Sequence, residues 1–363
     1  MAKIEAIEAR VFHIPLAEPM GDAKHGVHTY FELVTATLRT SDGVTGTGYT
    51  YTGGWGGRAI QAMLTHDLAP ALIGKAPDDI AALYDAMYWH VHYVGRGGVA
   101  SFAISAADIA LWDLRGKASG RPLWQMAGGH NRTTRAYAGG IDLNFARDKL
   151  LANIQGYLDR GFEAVKIKVG RPSLDDDTAR VAAVRALIGP DRKLMVDANY
   201  GLDRAQALAA AKAFEPHDIA WFEEPIDPED LEGYAQMADA VAIPLAQGEN
   251  LHSRDEFRRA IAQAKLAFIQ PDASNCGGVT GWMEVAAMAQ AAGIPVCSHG
   301  MQELHVSLMA SQPHAGWMEV HSFPIDAYTT RPFVLQNAKG VAPDAPGTGV
   351  TFDWAKLAPY AVA

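Results

Sequence analysis

Ile219-Ala220-Trp221-Phe222-Glu223-Glu224-Pro225 is an apolar run that ends abruptly in two carboxylates and a proline. A run of this length with turn chemistry behind it predicts a buried parallel strand, because Pro225 cannot continue a central ladder. Charge therefore enters where the strand stops. Asp197, closing Leu194-Met195-Val196-Asp197-Ala198-Asn199, stands 26 residues upstream, and Glu249, closing Ile243-Pro244-Leu245-Ala246-Gln247-Gly248-Glu249, stands 26 downstream. That spacing holds one strand, one helix and two short loops, so the three acids should occupy equivalent C-terminal ends of successive parallel strands. Converging carboxylates need a cation. Hard oxygen ligands with no His or Cys at equivalent places suit Mg²⁺ better than zinc.

The whole chain bounds what such a site serves. With 363 residues the size prior favours two domains, and a hydrophobic share of 49% argues against disorder. The formal charge of −10 is spread without a basic run, which argues against nucleic acid as a partner. Two cysteines, Cys276 and Cys297, are too few for a disulfide framework and lack zinc-cluster spacing, so a reducing cytoplasm is the expected location. The alternating N-terminus Met1 to Glu8 reads as a strand, and no apolar stretch is long enough to span a membrane. The sequon Asn131-Arg132-Thr133 then reads as chance.

Residues 1–130 read as an α+β domain: strands over Ile4 to Ile14, Phe31 to Arg39 and Gly46 to Thr52, then helices from Arg58 to about Ala127. A polar loop, Gly21 to Tyr30, separates the first two strands and carries the composition of a lid, although a solvated surface loop fits it as well. Tyr49, Tyr51 and the glycines of Gly53 to Gly57 pose the same choice. His90 and His92 sit two apart without a third ligand, which argues against a metal pair. Across residues 131–322 eight short apolar runs alternate with Ala-rich helices: Thr134 to Ile141, Ala164 to Val169, Leu194 to Asn199, Ile219 to Pro225, Ile243 to Glu249, Phe268 to Asp272, Pro295 to His299 and Trp317 to His321. Strict alternation at this period predicts a parallel α/β barrel. A doubly wound open sheet is the alternative, but Gly139-Gly140-Ile141-Asp142 is not its phosphate fingerprint. Residues 323–363 read as a tail returning to the first domain.

Several side chains on these runs carry chemistry. Lys166 and Lys168 alternate with Val165, Ile167 and Val169, so both ammonium groups should share the inward face, where neighbouring charge depresses the pKa of each. A solvated edge strand is the alternative. Asp272 on the sixth run and His299 on the seventh should meet, the aspartate holding one imidazole nitrogen while the other serves as a base. Glu319, between Met318 and Val320, should be kept protonated by desolvation, unless it is salt-bridged or exposed.

Lys-Ile-Lys (166–168), Val-Asp-Ala-Asn (196–199), Phe-Glu-Glu-Pro (222–225), Gln-Gly-Glu-Asn (247–250), Gln-Pro-Asp (270–272) and Ser-His-Gly (298–300), in this order, make the chain resemble the enolase superfamily, and within it the mandelate racemase subgroup. The resemblance implies a modified (β/α)7β TIM-like barrel with an α+β capping domain. It also implies Mg²⁺ on Asp197, Glu223 and Glu249, and two bases, Lys168 and the His299–Asp272 pair. Lys166 would contact the substrate carboxylate, and Glu319 would hydrogen-bond the enolate. The function it implies is removal of the proton α to a carboxylate through an ene-diolate, as in acid-sugar dehydratases. A lyase acting on an aldonate or aldarate is the first reading, a racemase or epimerase the second, and an inactive carboxylate-binding barrel the third. Cycloisomerases are disfavoured, because Asp272 and His299 occupy positions where they typically place a lysine. A polar lid of Lys24, His25, His28, Tyr49, Tyr51 and Arg96, with Asn199 below it, would bind a polyhydroxylated chain. The partner expected is a small hydroxy-carboxylate, and a homo-oligomer between dimer and octamer is expected for the assembly.

Overall fold

The computed structural model describes residues 2–362, so Met1 of the alternating N-terminal run lies outside it. Strands β1 (Ile4–Asp22), β2 (Gly26–Thr40) and β3 (Thr45–Thr52) form an antiparallel meander. The first two run further than their apolar pattern indicates. Met20, Gly21 and Asp22 pair with His28, Val27 and Gly26, so the expected lid loop is the tip of one long hairpin. Asp22 closes that tip, its Oδ1 accepting the backbone N–H groups of Lys24 (2.9 Å) and His25 (2.6 Å), and Gly26 takes the positive φ of 78° that the turn requires. Helix Val99–Ser119 lies across β3. A Cβ on Gly48 would come 2.0 Å from the Ala106 carbonyl oxygen, so the bare glycine backbone is what lets helix and sheet meet.

The second region is a barrel. Strands β4 (Thr133–Gly139), β5 (Ala164–Lys168), β6 (Lys193–Asp197), β7 (Ile219–Glu223), β8 (Leu245–Gln247) and β9 (Phe268–Ile269) pair in sequence order, all parallel, and β10 (Met318–Val320) pairs parallel with β4. The sixth strand is only two residues long, and the seventh, expected over 295–299, is reduced to bridges from Val296 to Ile269 and Ala315. Pro271 and Pro295 explain the shortness, since neither can donate to a ladder. Closure is kept by single bonds: Cys297 N–H donates to the Ile269 carbonyl (2.8 Å) and Ser298 N–H to that of Trp317 (3.2 Å).

The period of two along these strands builds the site. Tyr137, Ala164, Met195, Trp221, Ala246 and Cys297 form a buried plug inside the barrel, with Tyr137 edge-on to Trp221. Two residues onward the same face presents Gly139, Lys166, Asp197, Glu223 and His299. A charged layer thus rests on an apolar floor. The tail pairs residues 339–341 with β4, engages Asp113 through the Thr348 N–H (3.0 Å), and reaches β1 where Val362 N–H donates to the Val11 carbonyl (2.8 Å). Among the described residues no helix is long and apolar enough to cross a membrane.

Candidate active site

Asp197, Glu223 and Glu249 each bring a carboxylate oxygen to within 4.8 Å of the others, at the C-terminal ends of three successive strands. Lys166 and Lys168 lie buried against them. Lys166 Nζ bonds Glu223 and reaches Glu319 Oε1 (3.0 Å) and Asp197 Oδ2 (3.3 Å), while Lys168 Nζ bonds Asp197. The expected depression of the lysine pKa values does not prevail, although Lys166 does pull Lys168 downward. Burial lowers both, but the facing carboxylates outweigh it and hold both ammonium groups above their ordinary range. The lysines hold Asp197 in turn below its ordinary range against burial. Glu223 Oε2 accepts from Trp221 Nε1 (2.8 Å) and Gln270 Nε2 (2.7 Å), and Asn199 donates its N–H to Asp197 Oδ1 (2.8 Å) and its amide to Glu249 Oε1 (3.2 Å).

The cluster is short of positive charge. Counting Asp272 and Glu319, five carboxylates face two lysines and His299, a deficit of two charges even with the imidazole protonated. Burial and the neighbouring Asp197, Glu249 and Glu319 push Glu223 up to about 8 in spite of Lys166. Several buried oxygens around the cluster stay without hydrogen bonds, among them Glu249 Oε2, Asn199 Oδ1, Gln270 Oε1 and Glu319 Oε1. Uncompensated buried charge of this kind is costly, and a divalent cation on the three acids would relieve it. The donor set is all oxygen, which fits Mg²⁺.

Across the cavity, His299 Nδ1 lies 2.9 Å from Asp272 Oδ2, as the adjacent-strand argument expected. The same oxygen accepts the Tyr51 hydroxyl (2.8 Å), and Asp272 Oδ1 accepts the Ser274 N–H (2.8 Å). His299 Nε2 points at Glu249 Oε2, 3.2 Å away but out of line for a hydrogen bond. Burial works against the imidazolium, yet Glu249, Asp272 and Glu319 raise His299 to about 10. Glu319 corrects another expectation. Burial does favour its protonated form, but Lys166, His321, His299 and the Gly300 N–H (2.9 Å) together hold it ionised. Gly139 makes room for it, since a Cβ there would lie 2.0 Å from Glu319 Oε1.

Lys168, Glu249 and His299 open into a cavity of about 630 Å³ between barrel and cap, while Lys166, Asp197, Glu223, Asp272 and Glu319 are buried behind its lining. Lys168, Asn199, Glu249, His299, Tyr51, His25 and His28 line it; Lys24, Tyr49 and Arg96 do not. Tyr49 is fully buried with its hydroxyl on Glu303; it shares with Tyr51 the face of β3 turned away from the helix, but it packs against Phe352 outside the cavity. Arg96 is exposed near Tyr88 (3.3 Å), and Lys24 lies over the Tyr200 ring outside the cavity. His25 instead bonds Asp22 and, through Nε2, the Tyr200 hydroxyl (2.7 Å). His321 also lines the cavity and was not singled out from sequence. The alternation that placed Glu319 inward would have found it two residues later.

Family models match along the chain: residues 6–128 match the mandelate racemase / muconate lactonizing enzyme N-terminal domain, and residues 149–356 the enolase C-terminal domain-like family. The chain belongs to the enolase superfamily, in its mandelate racemase branch. Within it, the chain is 42% identical over 359 residues, 99% of each chain, to the 3,6-anhydro-alpha-L-galactonate cycloisomerase of Streptomyces coelicolor. It is 36% identical over 324 residues, 87% of this chain and 81% of the other, to the L-talarate/galactarate dehydratase of Salmonella typhimurium. A crystal structure of a racemase from Streptomyces coelicolor with bound magnesium superposes with a TM-score of 0.96 at 42% identity, covering 99% of this chain and 100% of that one. With a cycloisomerase among these superfamily relatives, Asp272 and His299 no longer argue against that reaction.

Proposed function

We propose that this chain is a Mg²⁺-dependent enzyme that removes the proton at C2 of an acid sugar and expels the oxygen on C3, giving a 2-keto-3-deoxy acid. The observation that carries this reading is the pairing of two proton-transfer groups around one cavity, Lys168 on Asp197 and His299 on Asp272, with the carboxylate cluster between them. Asp197, Glu223 and Glu249 would hold the cation. Bound there, it would supply the positive charge that makes a proton α to a carboxylate acidic enough to remove.

The chain's own residues supply the rest. Lys168 gives its proton up to solvent, takes the one on C2, and leaves the bonding pair in an ene-diolate. Lys166, anchored by Glu223 and Glu319 and buried behind the cavity wall, keeps positive charge beneath the substrate carboxylate, and Glu319 orients it. The pair then forms the C2–C3 double bond as the C3–O bond breaks, and the His299 imidazolium gives its proton to the departing oxygen. Asp272 keeps the imidazole oriented and balances its charge. The enol tautomerises to the keto acid.

Two features narrow the substrate. Among the described residues no ammonium or guanidinium other than that of Lys168 lines the cavity, and His25 and His28 are both tied to Asp22. An aldonate, with one carboxylate, fits that wall better than an aldarate. The second reading concerns the leaving oxygen and is favoured by the 42% identity to a cycloisomerase over the full length. In a 3,6-anhydro aldonate the C3 oxygen is a ring ether, so the same elimination opens the ring and releases nothing, making it formally an isomerisation. Both cysteines are free and buried, which supports a reducing cytoplasm.

A panel of aldonic, aldaric, 3,6-anhydroaldonic and aryl 2-hydroxy acids, assayed with Mg²⁺ for semicarbazide-reactive product, tests the reading. Keto acid from an aldonate or its anhydride supports it. Racemisation of an aryl acid without keto acid would replace it with the racemase reading.

A further inference from the structure

His321 stands two residues beyond Glu319, on the same inward face and about 6.6 Å nearer the cap. Its ring lines the cavity, with its centroid 5.1 Å from that of His299 and 4.9 Å from that of Phe323. One of its nitrogens lies within 4.8 Å of ligand atoms of both His299 and Glu319. The Phe323 backbone N–H donates to Nδ1 at 3.2 Å, so that nitrogen accepts and carries no proton. A neutral imidazole then bears its proton on Nε2. Burial, with His299 and the two lysines adding to it, outweighs Glu319 and keeps the ring neutral, its pKa pushed down to about 3. The main chain is fixed as well, since His321 N–H donates to Gln302 Oε1 (3.3 Å). Among the described residues Nε2 has no hydrogen-bond partner, so His321 presents to the cavity an N–H that is left for a ligand.

We propose that the Nε2–H of His321 donates to the C3 oxygen of the substrate and holds it against His299 as it leaves. The proposal rests on the elimination reading above. With the carboxylate at the acidic cluster and C2 between Lys168 and His299, the chain can run only toward the cap. The first oxygen it offers on the His299 side is that on C3, at the level of His321. A reaction confined to C2 has no use for a donor there. Held as Nε2–H by a backbone bond, the ring serves as a donor and cannot serve as a base.

Two measurements test this, both on the full chain loaded with Mg²⁺. In D₂O, with the aldonic or anhydroaldonic acid that the wild type converts fastest, His321→Phe should form keto acid about 100-fold more slowly, the usual cost of one lost donor to a developing oxyanion. Deuterium should still enter C2 of its recovered substrate. His321→Gln, which keeps an N–H near the Nε2 position, should recover most of the elimination. Equal loss of exchange and elimination, or no loss of either, overturns the proposal. Long-range ¹H–¹⁵N spectra of ¹⁵N-histidine-labelled enzyme provide an arm independent of turnover. They should show His321 neutral, with its proton on Nε2 from pH 5 to 8. A proton on Nδ1, or a cationic ring, overturns it whatever the substrate, whereas a wild type inert toward every acid sugar removes the elimination reading.

Discussion

Asp272→Asn should cripple the enzyme without unfolding it, and the geometry dictates how. Asp272 Oδ1 accepts the Ser274 N–H at 2.8 Å, and only an oxygen can do so. The asparagine must therefore place its oxygen there and its NH₂ where Oδ2 was, facing His299 Nδ1 at 2.9 Å and the Tyr51 hydroxyl at 2.8 Å. An NH₂ group donates, so Nδ1 would have to accept and the ring proton would move to Nε2. The imidazole is then held in the tautomer that has no lone pair toward the cavity, and it loses the carboxylate that stabilised its cation. Where an aspartate-held histidine is put into the wrong tautomer in this way, the loss is on the order of 10⁴ in kcat, or about 5.4 kcal/mol. KM should change little, because Asp272 is shielded from the substrate by His299. The assay is keto-acid formation under saturation, with C2 exchange in D₂O as the control that Lys168 still works. A loss below about tenfold would refute the tautomer argument.

Other outcomes follow from particular contacts. Gly48→Ala puts a Cβ 2.0 Å from the Ala106 carbonyl and 2.4 Å from Ala110 N, both backbone, so it should destabilise by about 1–3 kcal/mol or more in thermal melts. Gly156→Ala, in helix Arg147–Asp159 with nothing within 4 Å, should instead gain about 0.4–1 kcal/mol. Tyr49→Phe removes the donor to buried Glu303 and should cost about 1–3 kcal/mol of stability while leaving KM unchanged; a raised KM would return Tyr49 to the substrate site. EDTA should abolish turnover and lower Tm, with both restored by Mg²⁺; turnover that survives exhaustive chelation would remove the cation from the acidic trio.

The barrel was legible because one rule recurs: strands of period two, with an apolar plug below and a charge two residues later. Lys166, Asp197, Glu223 and His299 obey it, and Lys168 and His321 repeat it two residues beyond Lys166 and Glu319, whereas Glu249 comes three residues after Ala246, past the positive φ of Gly248; the meaning of His321 depends on a backbone bond from Phe323 that no pattern displays. The cap was less legible. Alternation alone could not decide which of Tyr49 and Tyr51 reaches the cavity, because residues two apart share one face of β3; their partners separate them, Glu303 for Tyr49 and Asp272 for Tyr51. The hairpin tip is not legible in composition, because Met20, Gly21 and Asp22 pair with His28, Val27 and Gly26 through their backbones. The charge states of Glu319 and the lysines share one cause: burial of Glu319 and the like charge beside Lys168 act as expected, but oppositely charged partners from other strands outweigh them.

The central claim is that proton removal at C2 leads to loss of the C3 oxygen within this cavity, and NMR of the product formed in D₂O tests it most directly. The account predicts a 2-keto-3-deoxy acid carrying a single deuterium at C3, delivered to one face, with no signal from the original C2 proton. Recovered acid sugar that carries deuterium at an inverted C2, with no keto acid formed, would contradict it.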